Sequence, residues 1–232
     1  MTYEEFSQQF DFWYDNLMSN ASPGLNEYEK SLLLTRAQEE IVKNYVNPLG
    51  NKYRSGVDDT SKRQVDLAPL IVTTTLVSPY KFPKDVISVL NEYIEFADGK
   101  IKQVIPLSYD EYTRRTLKPY KEPLRNEAWR LIKNTTIGDT EIQLIVSTPD
   151  KDKDFEYFIR YIKKPKPIIT YDLTDFDVTI EGFSSPMTSE LNPEIHSEIV
   201  QRAVEIAKAS YASDQNGTAQ LQNQITIGQR SE

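Results

Sequence analysis

A chain of 232 residues with one imidazole, His196, and no Cys has few routes to catalysis. A Ser-His-Asp or Cys-His arrangement, or a multi-His metal site within one chain, fails on counting. His196 lies between Glu194 and Glu198 and reads as a partly exposed residue in the first turn of a helix, not as a base. Asp150, Asp152 and Asp154 mimic the start of a calcium loop, but Phe155 stands where that loop needs Gly and Tyr161 where it needs a bidentate Glu. Gly50 and Gly56 lack the spacing and the following Lys-Ser/Thr of a phosphate loop. The carboxylate pairs Glu39-Glu40 and Asp58-Asp59 are adjacent in sequence, so a helix or loop sends them to different sides. A run that could stack bases and neutralise phosphates is Phe155, Tyr157, Phe158, Arg160, Tyr161, Lys163 and Lys164. Alternating aromatics of this kind also serve cross-strand packing, and a pI near 4.9 opposes a dedicated nucleic-acid binder. The reading is a non-enzymatic chain with no catalytic, cofactor or metal residues.

Composition describes what must carry these residues. Apolar residues are 38%, aromatics 11%, and there are 8 Gly, so the chain is polar but folded. No apolar run approaches the ~20 residues that cross a bilayer, and the start is acidic where a signal peptide is basic and then apolar, so neither a membrane anchor nor secretion is expected. The net charge of -8 is uneven: residues 1–50 carry 8 acidic and 3 basic groups, 67–171 carry 14 and 17, and 172–205 carry 8 and 1. Acidic ends flanking a mildly basic middle can steer like subunits head to side or keep a surface from gripping nucleic acid, and the same pattern also fits a solvated acidic helix face, the commoner case.

The elements follow from periodicity. Phe6, Phe10, Trp13 and Leu17 make one helical stripe that stops at Asn20-Ala21-Ser22-Pro23-Gly24. Asn26 with Glu29 forms a capping box for a second helix, with Leu33, Ala37, Ile41 and Tyr45 at i+4, ended by Asn47-Pro48-Leu49-Gly50. Residues 1–50 are thus a helical hairpin, and 51–65 a loop. Residues 66–185 read as an antiparallel β region, curled toward a small barrel or sandwich. Its strands lie at 70–77, 86–96, 100–107, 128–133, 141–148 and 155–163, with an Asp98-Gly99 turn and a short helix at 108–117 opened by Ser108 and Glu111. Asn192-Pro193-Glu194 starts a last helix, 192–213, with Ile195, Ile199, Ala203 and Ile206 on one stripe, Val200, Val204, Ala207 and Tyr211 on a second, and a Glu198–Arg202 ion pair. The fold class is α+β: a bundle of the hairpin and the last helix, an inserted antiparallel β region, and an extended tail at 214–232.

That wide last helix and the tail are the expected partner interface, at Ile195, Ile199, Arg202, Ile206, Tyr211, Ile225 and Ile227. The tail has too few apolar residues to fold alone. Ile225-Thr226-Ile227 is its natural anchor, because side chains at i and i+2 leave an extended chain on the same side and such a segment can add an edge strand to a sheet. Docking outside the subunit and folding back on its own β region both remain open.

The hairpin reads Phe10-x-x-Trp13-x-x-x-Leu17-Met18-Ser19-Asn20, Pro23-Gly24-Leu25-Asn26-Glu27-Tyr28-Glu29-Lys30-Ser31 and Leu34-Thr35-x-Ala37-Gln38-Glu39-Glu40-Ile41-Val42-Lys43; the last helix reads Asn192-Pro193-Glu194-Ile195-His196-x-Glu198-Ile199-Val200-x-Arg202-Ala203-Val204. These segments resemble the ring or head-to-tail adaptor proteins of crAss-like tailed bacteriophages, over most of the chain and through no chemically diagnostic motif. The resemblance implies a virion structural protein made in the host cytoplasm. It also implies a homo-oligomeric ring, dodecameric in the family, below the portal protein and stacked on neighbouring tail or ring proteins. Double-stranded DNA would pass through its lumen without specific binding, and no cofactor is called for. The alternative is a ligand- or nucleic-acid-binding accessory domain of a soluble phage or bacterial protein.

Overall fold

The computed structural model describes residues 1–17, 24–47, 61–117, 122–136, 139–151, 153–174 and 177–211. It is a mixed α+β chain that divides into two compact units, one of residues 1–69 and 165 onward, the other Leu70–Lys164. The β region read as far as 185 therefore ends at Lys164.

The first unit contains α1 (Tyr3–Leu17), α2 (Glu27–Val46), α3 (Ser61–Leu67) and, after α4 (Tyr109–Thr116) of the other unit, α5 (196–211). Asn26 caps α2 as its type predicts: its side chain accepts from the Glu29 N–H at 2.8 Å while Glu29 accepts from the Asn26 N–H. On α1 the buried stripe is Phe6, Phe10 and Tyr14, with Tyr14 stacked on Phe10 at 5.8 Å. Trp13, read as core, is 37% exposed and stands edge-on to Phe12, itself 61% exposed. Trp13 and Tyr14 are both compatible with a stripe through Phe6 and Phe10, and only the neighbouring helix decides which turns inward. Residues 61–65, read as loop, open α3.

The buried face of α2 is partly polar. Ser31, Thr35 and Gln38 stand at i, i+4 and i+7 and face an extended run, residues 166–170. Thr35 Oγ1 accepts from the Ile168 N–H (3.1 Å) and donates to the Ile168 carbonyl (3.3 Å). Ser31 Oγ accepts from the Thr170 N–H (3.0 Å), and Gln38 Nε2 donates to the Lys166 carbonyl (2.7 Å). A helix thus supplies the hydrogen bonds that a second strand would, as buried backbone groups require. Ile169, between them, exchanges both backbone bonds with Met187.

The second unit is a six-stranded sheet: β1 (Ile71–Leu76), β2 (Val86–Phe96), β3 (Ile101–Pro106), β4 (Glu127–Thr136), β5 (Asp139–Ile145) and β6 (Phe155–Lys163), in the order β1-β6-β2-β3-β4-β5. Gly99, at φ +78°, allows the β2–β3 turn, and the Asp98 side chain accepts from the Lys100 N–H. All pairs are antiparallel except one. The expectation of a purely antiparallel region is corrected at β3–β4, which run parallel in register Gln103↔Glu127 to Pro106↔Arg130. Parallel neighbours need a crossover of a dozen or more residues, and the connection through α4 (Tyr109–Thr116) is that crossover. α4 packs Tyr112 edge-on to Trp129 at 6.5 Å, beside a small core of Leu107, Trp129 and Leu131.

The sheet curls until its far edge meets the chain leaving β1: Lys81 bridges Glu141, and Ile142 N–H donates to the Tyr80 carbonyl at 2.8 Å. Inside the curl lie Leu76, Ile94, Phe96, Val104, Ala128, Ile142, Tyr157, Ile159 and Tyr161. A buried ionic cluster joins them. Tyr157 Oη donates to Glu92 at 2.5 Å, Arg130 Nε stands 3.0 Å from the same carboxylate, and the guanidinium lies over the Phe82 ring. Burial raises the Glu92 carboxyl above its ordinary range, against the Tyr157 hydrogen bond and the Arg130 charge.

Candidate assembly surface

The chemistry-bearing residues are engaged within the fold. His196 is buried, not partly exposed as its place in a first helical turn suggested, because Phe6 packs on its ring at 5.1 Å. The Met1 nitrogen donates to Nδ1 at 2.9 Å, and Nε2–H donates to the Leu191 carbonyl at 3.0 Å, so the ring is held neutral. Burial lowers its pKa, more than the Leu191 carbonyl restores. The folded state therefore refuses a proton that the unfolded chain accepts. Stability contributed by His196 is present above the ordinary value of 6.5 and is lost as pH falls below it. Urea midpoints followed at Trp13 are expected to drop between about pH 7.5 and 5.5, and His196→Gln is expected to flatten that limb.

Asp150 holds Lys102 (2.7 Å) and Lys153 (2.6 Å), which keep its carboxyl well below the ordinary range, and no cluster of metal-binding side chains occurs among the described residues. In the basic aromatic strand, Tyr157 and Tyr161 point into the core and Phe158 stacks on Tyr93 at 5.0 Å. That leaves no run of free aromatic faces for bases.

What the chain presents outward is a set of helix faces and one sheet edge. On α5, Val200, Ala203, Val204 and Ala207 are buried. So are two of the expected interface residues, Ile195 and Ile199, 2% and 0% exposed, with Ile195 in the 3-10 turn Pro193–Ile195 that Asn192 caps. The wide apolar face is thus consumed inside the chain. Arg202, Ile206 and Tyr211 lie on its half-exposed border. Ile225 and Ile227 fall outside the described residues. Arg202 does not take Glu198 at i,i+4. It reaches α2 instead, with Nε at 3.2 Å and a terminal nitrogen at 2.5 Å from the Glu40 carboxylate, and a further bond to Glu205 at 2.8 Å. A bidentate carboxylate across the helix pair outcompetes an exposed same-helix pair. Glu198 accepts instead from Tyr45, whose phenol burial and that carboxylate push up to about 12.

Arg36, Glu39, Glu40 and Lys43 of α2 and Arg202, Glu205 and Ile206 of α5 line an open groove of about 650 Å³. Phe12 and Trp13 form an exposed aromatic pair on α1 that the sequence reading missed; the signal was two adjacent aromatics where one stripe can hold only one. A second groove of about 500 Å³ is lined by Asn26, Glu27, Tyr28, Tyr171, Leu173 and Val178. On its wall, Glu27 accepts hydrogen bonds from Thr170, Lys30 and Ser7, and against burial they lower its pKa.

Residues 1–219 match the phage tail ring protein 3/4 family. The chain is 48% identical to ring protein 4/5 of Bacteroides phage crAss001, over 248 aligned positions covering 100% of both chains. The chain belongs to this ring protein family. A second relative, ring protein 3 of the same phage, is 28% identical over 227 positions, covering 89% of this chain and 95% of that protein. For this ring-family chain, membership points to a structural role in a virion rather than to catalysis. No helix among the described residues is long and apolar enough to cross a membrane. The formal charge divides between the two units: residues 1–69 and 165–232 carry 21 acidic and 11 basic groups, and 70–164 carry 14 and 16. A net -10 in one unit stands against +2 in the other, so the two units keep the ends-against-middle pattern of the sequence.

Proposed function

We propose that the chain closes into a homo-oligomeric ring below the portal, which extends the DNA channel and joins capsid to tail, with twelve copies by family likeness. The observation that carries this is the charge partition. A closed ring is built from heterologous contacts, each needing two different complementary patches on one subunit, and an acidic unit facing a mildly basic unit of the next copy supplies them. The relatives bear ring names, which supports the same reading.

In this reading α1, α2 and α5 are the helical bundle of the subunit, the curled sheet is its inserted β region, and residues 214–232 are a docking tail. Arg202, Ile206 and Tyr211 line the border offered to a partner ring or the portal. The acidic unit lines or flanks the lumen, where repulsion of phosphates lets double-stranded DNA pass without adhering. The work is mechanical and calls for no cofactor.

Mass photometry across a salt series tests it. Closed rings are expected at low salt, with fewer near molar salt, since rim ion pairs worth ~0–1 kcal/mol each set register and are screened. Reversing three or more exposed basic groups of the β-unit, Arg114, Arg125 and Arg160 among them, is expected to cut ring yield at least tenfold. A monomer at every concentration and salt would refute the ring.

A further inference from the structure

We infer that β1 is the acceptor strand for a neighbouring copy's tail, so that residues 222–228 of one subunit pair with the free edge of Ile71–Leu76 in the next. This rests on the ring reading and adds the joint that closes it.

The sheet has two edges of unequal character. The β5 edge is capped by residues 80–82 through the Lys81↔Glu141 bridge. The β1 edge carries no strand among the described residues. Exposed edges are normally blunted by Lys, Pro, a bulge or a covering element. β1 itself carries no charge, Pro or bulge: Ile71-Val72-Thr73-Thr74-Thr75-Leu76 pairs with β6 in unbroken register from Ile71↔Ile162 to Leu76↔Tyr157. Thr73 and Thr75 are exposed and Val77 is 81% exposed, while Leu76 and Val72 turn into the core. Half of the strand's backbone N–H and C=O groups therefore point away from β6 and meet no strand among the described residues.

Symmetry selects the occupant. Pairing β1 with β1 of a second copy makes a two-fold, self-complementary contact, which ends at a dimer. A ring of more than two copies needs a donor strand that differs from the acceptor. Residues 212–232 lie outside the described structure and contain the sequence Gln222-Asn223-Gln224-Ile225-Thr226-Ile227-Gly228, β-branched at its centre and without charge, like β1 itself. Backbone bonds supply affinity in such strand addition, and the alternating side chains supply register. The tether from 212 to 224 spans roughly 45 Å when extended, enough to leave its own subunit.

The absence of native Cys makes the test clean. The full-length chain carrying Thr73→Cys or Thr75→Cys together with Thr226→Cys, oxidised under ring-forming conditions, is expected to give a covalent ladder reaching the ring's size. Mixing the single Thr73→Cys and Thr226→Cys chains is expected to give dimers only. In parallel, hydrogen exchange of the Ile71–Leu76 amides should be at least tenfold slower in rings of the unmodified chain than in a chain carrying Ile225→Lys and Ile227→Lys. A cross-linked monomer means the tail folds back on its own subunit and overturns the inference. Dimers of Thr73→Cys alone mean β1–β1 pairing and also overturn it. Rings that form with neither cross-link nor slowed exchange overturn the inference while leaving the ring reading intact. If no rings form and neither signal appears, both fail.

Discussion

Replacing Arg130 by Met is expected to destabilise the β-unit by about 3–5 kcal/mol, because it leaves a buried carboxylate without its counter-charge. Glu92 and Arg130 are both buried, and the only other hydrogen-bond donor to Glu92 among the described residues is the Tyr157 phenol. The pH dependence separates this cause from simple loss of packing over Phe82. Burial already raises the folded pKa of Glu92 above its unfolded value. Such a group favours folding fully below the unfolded pKa, and that contribution is lost as pH rises through the folded pKa. Removing Arg130 raises the folded pKa further, so the deficit of the variant should grow with pH and shrink toward acid. A pH-independent deficit would assign the loss to packing. The double variant Glu92→Gln, Arg130→Met should recover most of the stability, since a buried pair replaced together is often neutral. Urea unfolding followed at Trp129, the single Trp of this unit, in a Trp13→Phe background reads all three.

Thr35→Val is expected to cost about 2–4 kcal/mol, although it is nearly isosteric. It orphans both backbone groups of buried Ile168 at about 1–3 kcal/mol each. Thr35→Ser keeps the hydroxyl and removes only a methyl, so it should cost within about 1.5 kcal/mol. Hydrogen exchange locates the effect: the Ile168 amide, and with it Thr170, should lose protection in Thr35→Val while the α2 amides keep theirs. Uniform loss across the unit would mean that the hydroxyl ladder is not what holds residues 166–170.

Both expectations concern groups whose partners lie far away in sequence, and they mark the boundary of what the sequence shows. Local physics was sufficient for the elements. The Asn26–Glu29 box, the Asp98-Gly99 turn and the Asn192 cap rest on interactions within a few residues, and the six strands, though paired at long range, are marked by local alternation and turn residues, so all are legible in order. The family likeness was legible in the local sequence of the hairpin and the last helix, and the match extends over residues 1–219.

Partner choice was not. That Tyr14 and not Trp13 faces inward depends on where α2 lies, and that Arg202 takes Glu40 and not Glu198 depends on how closely α2 and α5 approach. The parallel β3–β4 pair was foreshadowed by the 108–117 helix, but only strand order shows that the crossover returns beside β3. Ser31, Thr35 and Gln38 read as ordinary polar positions on α2 until an extended chain arrives some 130 residues later to use them. The exposed β1 edge likewise exists only once the strands are ordered. A sequence specifies which groups seek burial or a hydrogen bond, whereas the particular group that answers is set by long-range packing, where many pairings of similar local energy compete and the fold as a whole selects one.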